Sequence, residues 1–462
     1  MGIITNNIIC FLLPAIVAFY YILDSLFKSE NTNKILLIAC SLGFYFYIAN
    51  SSIPFLLLSL SFNFLVANIL IQKNIKYSRW LYWGAIASNI LLFIALKYRF
   101  EVIETYSFMF GSYNSLNSSI IPFGFGMITI QQISFLRECY KGDLKGIALI
   151  DYLHFSTFFP KLLAGPITKI EVFKSTSKSS STGENISRGI FIFFIGLAQK
   201  VFFADTLLKV ADRGLNCHSL NFVQAWVTTL SNTLGIYFNI TAYSAMAIGI
   251  GLCFNITLPF NFNHPFRAIN IKDFWERWHI TFTNFFTESF ANSIQKKKGI
   301  YSSIGMTCSF LLMALWHKIG FTILIWGFLQ AIAIIVFTYF NKIKFTFPKW
   351  FAWLITFGFI NVSWIFFRTE NISQALITIS GLLNIKGLFM YYNEFYILWG
   401  IGANFMIVLL LIASIVIAVK SKDSTEILET FTISYKTILL TVFLIIIGIT
   451  FNTYYPILYY GF

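Results

Sequence analysis

Long apolar runs separated by short polar segments make up most of the chain. A helix that spans a lipid bilayer needs about 20 mainly apolar residues. Runs of this kind lie at 8–27, 35–49, 53–71, 81–96, 120–136, 189–208, 304–316, 321–340, 350–367, 396–419 and 437–451. The stretch 214–266 contains no Asp, Glu, Lys or Arg, and it holds either one long span or two short ones. The pattern predicts an all-α polytopic membrane protein with about 11 to 13 membrane segments.

Two segments do not have the pattern of a simple span. The apolar segment 152–164 is too short to cross a bilayer and contains Pro160, which suits a re-entrant or interfacial segment. The segment 262–298 is amphipathic, with Trp275 and Trp278 among charged residues. It predicts a helix that lies in the membrane surface or dips into the protein.

The basic residues lie in alternate loops along the chain, which carries a formal net charge of +14. Lys or Arg occurs in the loops 28–34, 72–79 and 137–146, whereas the loops 50–52 and 100–119 contain neither. The positive-inside bias then places the N-terminus outside and the loop 137–146 in the cytoplasm. Anchoring at an anionic bilayer explains the charge, and no basic patch indicates a nucleic-acid partner.

Composition also indicates a membrane protein. Hydrophobic residues make up 57% of the chain and charged residues 11%, against about 25% charged in soluble domains. The six cysteines are scattered without a C-x-x-C pair, so their spacing predicts no metal site.

His317 is the histidine with the most apolar surroundings, in the segment SFLLMALWHKIGFTILIWGFLQ. An ionisable residue within a membrane span is costly and therefore indicates a functional site. The alternative is a histidine that links helices by a hydrogen bond. As a base, His317 could take the proton from a hydroxyl that attacks a thioester.

His279 lies in a second polar cluster, within the segment NIKDFWERWHITFTNFF. The cluster consists of Asp273, Glu276, Arg277 and His279, beside Trp275 and Trp278. The alternative to a functional cluster is an interfacial helix whose tryptophans lie at the level of the lipid headgroups.

Other chemistries have little support in the sequence. No third metal ligand accompanies His279 and His317 at a helical spacing such as H-x-x-x-H. The G-x-S-x-G motif of serine hydrolases and the phosphate-binding G-x-x-x-x-G-K-[ST] loop are both absent. A transporter should show paired broken helices in two halves of the chain, and the sequence has no such symmetry.

Several blocks, in order, resemble the membrane-bound O-acyltransferase (MBOAT) family. They are IPFGFGMITIQQISFL, FFPKLLAGPI, GIYFNITAYSAMAIGIG, LPFNFNHPFRAINIKDFWERWHIT and ALWHKIGFTILIWGFLQ. They cover roughly residues 120–330 and most resemble the bacterial branch of alginate and peptidoglycan O-acetyltransferase membrane subunits. Similarity to the teichoic-acid D-alanyl transferase is more distant.

The resemblance implies a fold and a site. The chain 1–462 would be a single membrane domain, a ring of tilted helices around a central tunnel. His317 would be the catalytic base, and His279 would position the donor or acceptor. The residues that would bind the donor or substrate are Asp273, Trp275, Arg277, Trp278 and Trp316.

The C-terminus and three substitutions complete the resemblance. In the terminal segment YYPILYYGF, Tyr459 would be an acyl relay, with an interfacial aromatic belt as the alternative. Relatives usually have acidic residues at the positions of Asn239 and Ala245, and glycine at that of Lys318.

The expected function is O-acetylation of a cell-wall or surface polysaccharide, peptidoglycan or an exopolysaccharide, from the bacterial inner membrane. Cytoplasmic acetyl-CoA would be the donor substrate, with no bound cofactor and no metal. The family implies an extracytoplasmic SGNH-type acetyltransferase or esterase as partner. The alternatives are D-alanyl transfer to teichoic acid from a carrier protein and a non-enzymatic polysaccharide transporter.

Overall fold

The computed structural model of the chain describes residues 5–49, 52–72, 77–98, 124–162, 165–174, 182–288, 300–343, 347–385 and 400–452. All regular secondary structure in these residues is helical. By length and composition, eight of the helices can cross a membrane: Ile8–Phe27, Glu30–Ala49, Ile53–Ile71, Ser78–Lys97, Thr182–Leu215, Phe222–Cys253, Phe321–Phe340 and Lys349–Arg368. Four shorter apolar helices are Ser303–His317, Ile372–Leu383, Phe405–Lys420 and Tyr435–Thr450.

These helices confirm an all-α polytopic membrane protein. The uncharged stretch forms one long helix, Phe222–Cys253, rather than two short spans. The ring of helices around a central tunnel stays a prediction, as does the outward N-terminus. The chain folds into two compact units, one built mainly from residues 1–193 with 246–259 and the other from 194–245 with 260–453. A single domain therefore also stays a prediction.

The first unit contains Glu30–Ala49, Ile53–Ile71, Ser78–Lys97, Phe125–Lys141, Leu149–Thr157, Phe159–Leu162 and Glu171–Lys174 after the first span. Polar side chains link several of these helices. The amides of Asn63 and Asn89 pair with each other at 3.0 and 2.8 Å. The Tyr152 hydroxyl lies 2.8 Å from Gln132 Oε1. Such bonds stabilise helix packing where lipid removes most of the hydrophobic driving force.

The expected re-entrant segment is a pair of short helices, Leu149–Thr157 and Phe159–Leu162. The break falls at Phe158, immediately before Phe159 and Pro160. Because proline cannot donate a backbone hydrogen bond, it suits the first turn of the second helix. The depth of this pair in the bilayer stays a prediction.

The second unit contains Asp205–Leu215, Pro265–Arg267, Ile271–Arg277, Ile280–Phe286, Ile300–His317, Phe321–Phe340, Lys349–Arg368, Ile372–Leu383, Gly400–Lys420, Ser424–Glu429 and Tyr435–Thr450. Buried polar side chains join the helix Lys349–Arg368 to the long helix Phe222–Cys253. Thr233 Oγ1 donates to Asn361 Oδ1 at 2.8 Å, and Asn361 Nδ2 donates to Thr229 Oγ1 at 3.1 Å.

The single amphipathic helix expected over 262–298 is wrong. Its described residues, 262–288, instead contain the separate short helices Pro265–Arg267, Ile271–Arg277 and Ile280–Phe286. Asn270 begins the second by accepting a hydrogen bond from the backbone of Asp273. Residues 289–299 lie outside the described residues. Hydrogen bonds from Asn261 and Asn263 accompany the interruption between the last two helices.

Candidate active site

The helical structure is interrupted at His279, between the helices Ile271–Arg277 and Ile280–Phe286. His279 has φ 44° and ψ 52°, in the left-handed region. This conformation costs a residue with a side chain roughly 1–2 kcal/mol. Backbone strain of this kind persists only where surrounding contacts enforce it, and it is concentrated at functional sites.

A segment earlier in the chain holds this turn in place. The backbone N–H of Asn263 donates to the Arg277 carbonyl at 3.0 Å, and Ile280 donates to the Asn261 carbonyl at 2.8 Å. The side chain of Asn261 also accepts the Thr281 hydroxyl at 2.5 Å. We call residues 261–264 the brace, because Asn261 and Asn263 within it make hydrogen bonds to residues on both sides of His279.

The His279 side chain is buried, with 6% of its surface exposed. Burial lowers the pKa of its imidazole to about 4. The ring is therefore neutral at pH 7, the form in which one nitrogen can accept a proton or hydrogen bond. Its Nδ1 has no hydrogen-bond partner among the described residues.

His317 is the last residue of the helix Ile300–His317 and is 7% exposed. This helix packs closely against Phe321–Phe340. A Cβ atom on Gly327 would lie 2.9 Å from the Phe310 carbonyl oxygen and 3.0 Å from the Ala314 Cβ. A larger residue at 327 would therefore push the helix that carries His317 away.

The ring of Phe282 joins the two histidines. Its centroid lies 4.9 Å from the His279 ring and 5.8 Å from the His317 ring. Residues that lie far apart in the sequence thus share one aromatic neighbour. The site therefore contains both predicted histidines, within the second unit.

Further aromatic rings surround His317. Its ring centroid is 4.9 Å from Trp316 and 5.0 Å from Phe367. Trp326 contacts Phe367 at 5.1 Å. Trp316 also lies 4.9 Å from Phe282. These surroundings have a low dielectric constant, which strengthens electrostatic interactions with any bound substrate.

Trp275 and Trp278 are both 5% exposed, so they pack inside the protein and not directly against lipid. Their level in the bilayer stays a prediction. Trp278 lies against Trp364, with centroids 4.7 Å apart. The Trp275 indole donates to Gln330 Oε1 at 3.3 Å, and Gln330 donates to Ser363 Oγ at 2.8 Å. These contacts anchor the helix that precedes His279.

Asp273 and Arg277 form an ion pair of 2.6 Å on the same helix. Their side chains are 25% and 33% exposed, and that of Glu276 on the same helix is 63% exposed, so all three are accessible polar groups. Arg277 also donates to the carbonyl of Asn263 in the brace, at 3.4 Å. Their role in donor binding stays a prediction.

Four further residues of the candidate site were not predicted from the sequence: Phe282, Trp326, Phe367 and Gln330. Phe282 follows His279 by three residues, a spacing that places both on one face of a helix. Gln330 is a lone amide in an apolar helix, which is also a detectable signal. Trp326 and Phe367 become neighbours only through tertiary packing.

The departures from the family pattern have separate environments. Asn239 and Ala245 are each 1% exposed. Lys318 donates to the Thr369 carbonyl at 2.7 Å, and burial lowers the pKa of its amine to about 8. Tyr459 lies outside the described residues.

The fold and the site define a polytopic helical membrane protein with two histidines buried against one aromatic ring. The sequence profile of MBOAT, the membrane-bound O-acyltransferase family, matches residues 44–372. The chain belongs to this family and is an O-acyltransferase.

Named relatives share much of the chain. It is 36% identical over 408 residues to the peptidoglycan O-acetyltransferase of Helicobacter pylori, covering 80% of this chain and 77% of that protein. It is 28% identical over 397 residues to the probable alginate O-acetylase AlgI of Pseudomonas aeruginosa, covering 80% and 73%. It is 28% identical over 234 residues to the teichoic acid D-alanyltransferase of Bacillus subtilis, covering 47% and 59%.

Proposed function

We propose that the chain takes an acetyl group from cytoplasmic acetyl-CoA and passes it across the inner membrane for O-acetylation of a surface polysaccharide. The observation that carries the proposal is the shared contact of His279 and His317 with Phe282. Family membership supports an acyl-transfer reaction at this site. It favours an enzyme over a polysaccharide transporter.

In the proposed reaction His317 is the general base. A neutral imidazole nitrogen takes the proton of a hydroxyl as that oxygen attacks the thioester carbonyl carbon. The tetrahedral intermediate then collapses, the C–S bond breaks, and the thiolate leaves with its electron pair. The imidazolium returns the proton to the thiolate or to solvent. A positioned base of this kind contributes about 10²- to 10⁴-fold in rate.

His279 is a positioning residue in this proposal. Its nitrogen would orient the thioester or the attacking hydroxyl, since an imidazole offers one donor and one acceptor. Trp316 would contact the acyl group, whereas Trp275 and Trp278 would hold the turn. Asp273 and Arg277 would bind the polar part of the donor, because both are accessible. Tyr459 as acyl relay remains a separate proposal.

Peptidoglycan is the preferred acceptor. Identity to the peptidoglycan O-acetyltransferase is 36%, against 28% to the alginate O-acetylase over a similar length. An alginate-like exopolysaccharide is therefore the second choice. Delivery would require an extracytoplasmic SGNH-type transferase, a partner that only the family resemblance suggests.

The test compares cells that lack their own copy of the gene and produce either wild type or His317→Ala at matched membrane levels. Acetate released by mild base is measured separately from peptidoglycan and from exopolysaccharide. Loss of acetate from peptidoglycan in the mutant is expected. Equal acetate in both strains would contradict the proposal.

D-Alanyl transfer is the second candidate, because the teichoic acid D-alanyltransferase matches 47% of the chain. The same base-labile fraction distinguishes the two reactions. Release of D-alanine from teichoic acid, lost with His317→Ala while acetate stays constant, would establish this alternative in place of acetylation.

A further inference from the structure

We propose that His264, Asp423 and Glu426 bind a divalent transition-metal cation such as Mn²⁺ or Zn²⁺. The site lies in the second unit, apart from His279 and His317. Its ligands would be one imidazole nitrogen and two carboxylate oxygens. This set carries two negative charges, which a divalent cation neutralises, and mixed nitrogen and oxygen ligands suit these metals.

The distances are those of ligands around one ion. His264 Nε2 lies 3.1 Å from Glu426 Oε1 and 3.5 Å from Asp423 Oδ2. The three ligand atoms all lie within 4.8 Å of one another. Metal–ligand bonds of about 2.0–2.2 Å place neighbouring ligands about 3.0–3.6 Å apart. Two edges of the triangle therefore have the length that coordination requires.

His264 is buried and directed at the carboxylates. The residue is 4% exposed, and its Nε2 makes no hydrogen bond among the described residues, although Glu426 Oε1 is only 3.1 Å away. In a direct His–carboxylate pair, the N–H would point at the oxygen. An ion between the atoms satisfies the nitrogen without that alignment, because it accepts the lone pair.

The two carboxylate oxygens of Asp423 make different contacts. Oδ1 accepts a hydrogen bond from the Glu426 backbone at 2.9 Å and begins the helix Ser424–Glu429. Oδ2 lies on the side of His264. The cap fixes the carboxylate and holds Asp423 and Glu426 together, so this half of the site is preorganised.

Arg267 holds the histidine segment beside the acidic segment. Its Nε donates to the Val419 carbonyl at 2.6 Å and its second amino group donates to the Ser421 carbonyl at 3.0 Å. The guanidinium is thus occupied by carbonyl oxygens. Spacing in the sequence did not indicate this site, because His264 and Asp423 are brought together only by the fold.

The cation would stabilise the candidate active site at a distance. His264 is the last residue of the brace and itself has a left-handed φ of 46°. Asn261 and Asn263, the two asparagines of the brace, make the hydrogen bonds that hold the turn at His279. A metal at His264 would tie the brace to the segment that begins at Asp423.

The experiment uses the full chain in detergent, stripped with EDTA and then titrated with Mn²⁺ or Zn²⁺. Bound ion is measured by mass spectrometry after desalting, and Mn²⁺ also by loss of its free EPR signal. One equivalent of saturable ion is expected, together with a higher thermal midpoint. Glu426→Gln and Asp423→Asn should each weaken binding at least about tenfold, and asparagine should preserve the helix cap.

The control is His218→Ala, which removes an exposed histidine elsewhere in the second unit. It should leave the stoichiometry and affinity unchanged, whereas His264→Ala should abolish binding. If His264→Ala does not fold, Glu426→Gln still tests the proposal, because the Glu426 side chain is half-exposed and its replacement should be tolerated. Absence of saturable binding of both ions, or binding that survives Glu426→Gln and Asp423→Asn, would overturn the proposal.

Discussion

The first unit contains a buried histidine that resembles those of the candidate active site in burial but differs in its contacts. His154 is 5% exposed, and neither ring nitrogen has a hydrogen-bond partner among the described residues. Its ring lies edge-on to Phe158 and Phe173. Burial lowers its pKa to about 3, with a further lowering from the charges of Lys34 and Lys161.

His279 shares the burial and the lowered pKa, at about 4. It differs in its left-handed backbone, in the brace and in the ring that it shares with His317. His154 instead lies within the regular helix Leu149–Thr157. Burial and a lowered pKa therefore do not distinguish a catalytic histidine. The distinguishing feature of the candidate site is the contact with Phe282 that His279 and His317 share.

The largest effect is expected for His317→Ala, which removes the proposed base. Acetyl transfer should fall about 10²- to 10⁴-fold. Adding His279→Ala should lower the rate by much less than the two single effects multiplied, because residues that act together are not additive. Steady-state rates of the two single mutants and the double mutant check this. Independent effects would mean that the two histidines do not form one site.

Phe282→Ala should reduce the maximal rate about 10- to 100-fold, because small misplacements of catalytic groups are costly. The matched control is Phe285→Ala, also a buried ring of the helix Ile280–Phe286, which packs edge-on against Phe286. We expect it to lower thermal stability without a comparable loss of rate. Equal losses of rate would remove the special role of Phe282.

Gln330→Leu and Gln132→Leu compare buried amides of the two units. Each is 0% exposed and accepts a hydrogen bond, from Trp275 and from Tyr152 respectively. Loss of the acceptor should cost about 1–3 kcal/mol of stability in both mutants. Only Gln330→Leu should also slow acetyl transfer, measured per amount of folded protein. A comparable loss of rate in Gln132→Leu would weaken the contrast between the units.

The smallest effect concerns stability against pH, and here the two regions should behave alike. The pKa values of His279 and His154 are lower in the folded chain than the usual 6.5. Between about pH 6.5 and 4 the unfolded chain therefore binds more protons, and stability falls as pH falls. Each histidine contributes at most about 1.4 kcal/mol per pH unit.

Thermal midpoints between pH 7 and pH 5 check this linkage. His279→Gln and His154→Gln should each make the midpoint less dependent on pH than in wild type. An unchanged slope in either mutant would show that the histidine is not neutralised by burial. If both mutants show a similar pH dependence of the midpoint but different acetyl-transfer rates, burial of a histidine and its role in the reaction are separate properties.

Sequence reasoning predicted the helices well, because apolar length determines membrane spans directly. The run 53–71 is also the helix Ile53–Ile71 in the structure. It wrongly predicted one amphipathic helix through His279. The hydrogen bonds that hold the turn come from Asn261 and Asn263, which precede it by a turn and a short helix, and a local pattern does not reveal them. It identified both histidines, but the contribution of Phe367 depends on a helix some fifty residues further along, which periodicity cannot place.

The most direct test is the rate of labelled acetyl transfer from acetyl-CoA in membrane vesicles, with His317→Ala and His154→Ala compared at equal protein levels. We predict that His317→Ala loses at least about 10²-fold, while His154→Ala retains the wild-type rate per folded protein. A preserved rate in His317→Ala, or an equal loss in both mutants, would contradict the assignment of acyl transfer to the histidines beside Phe282.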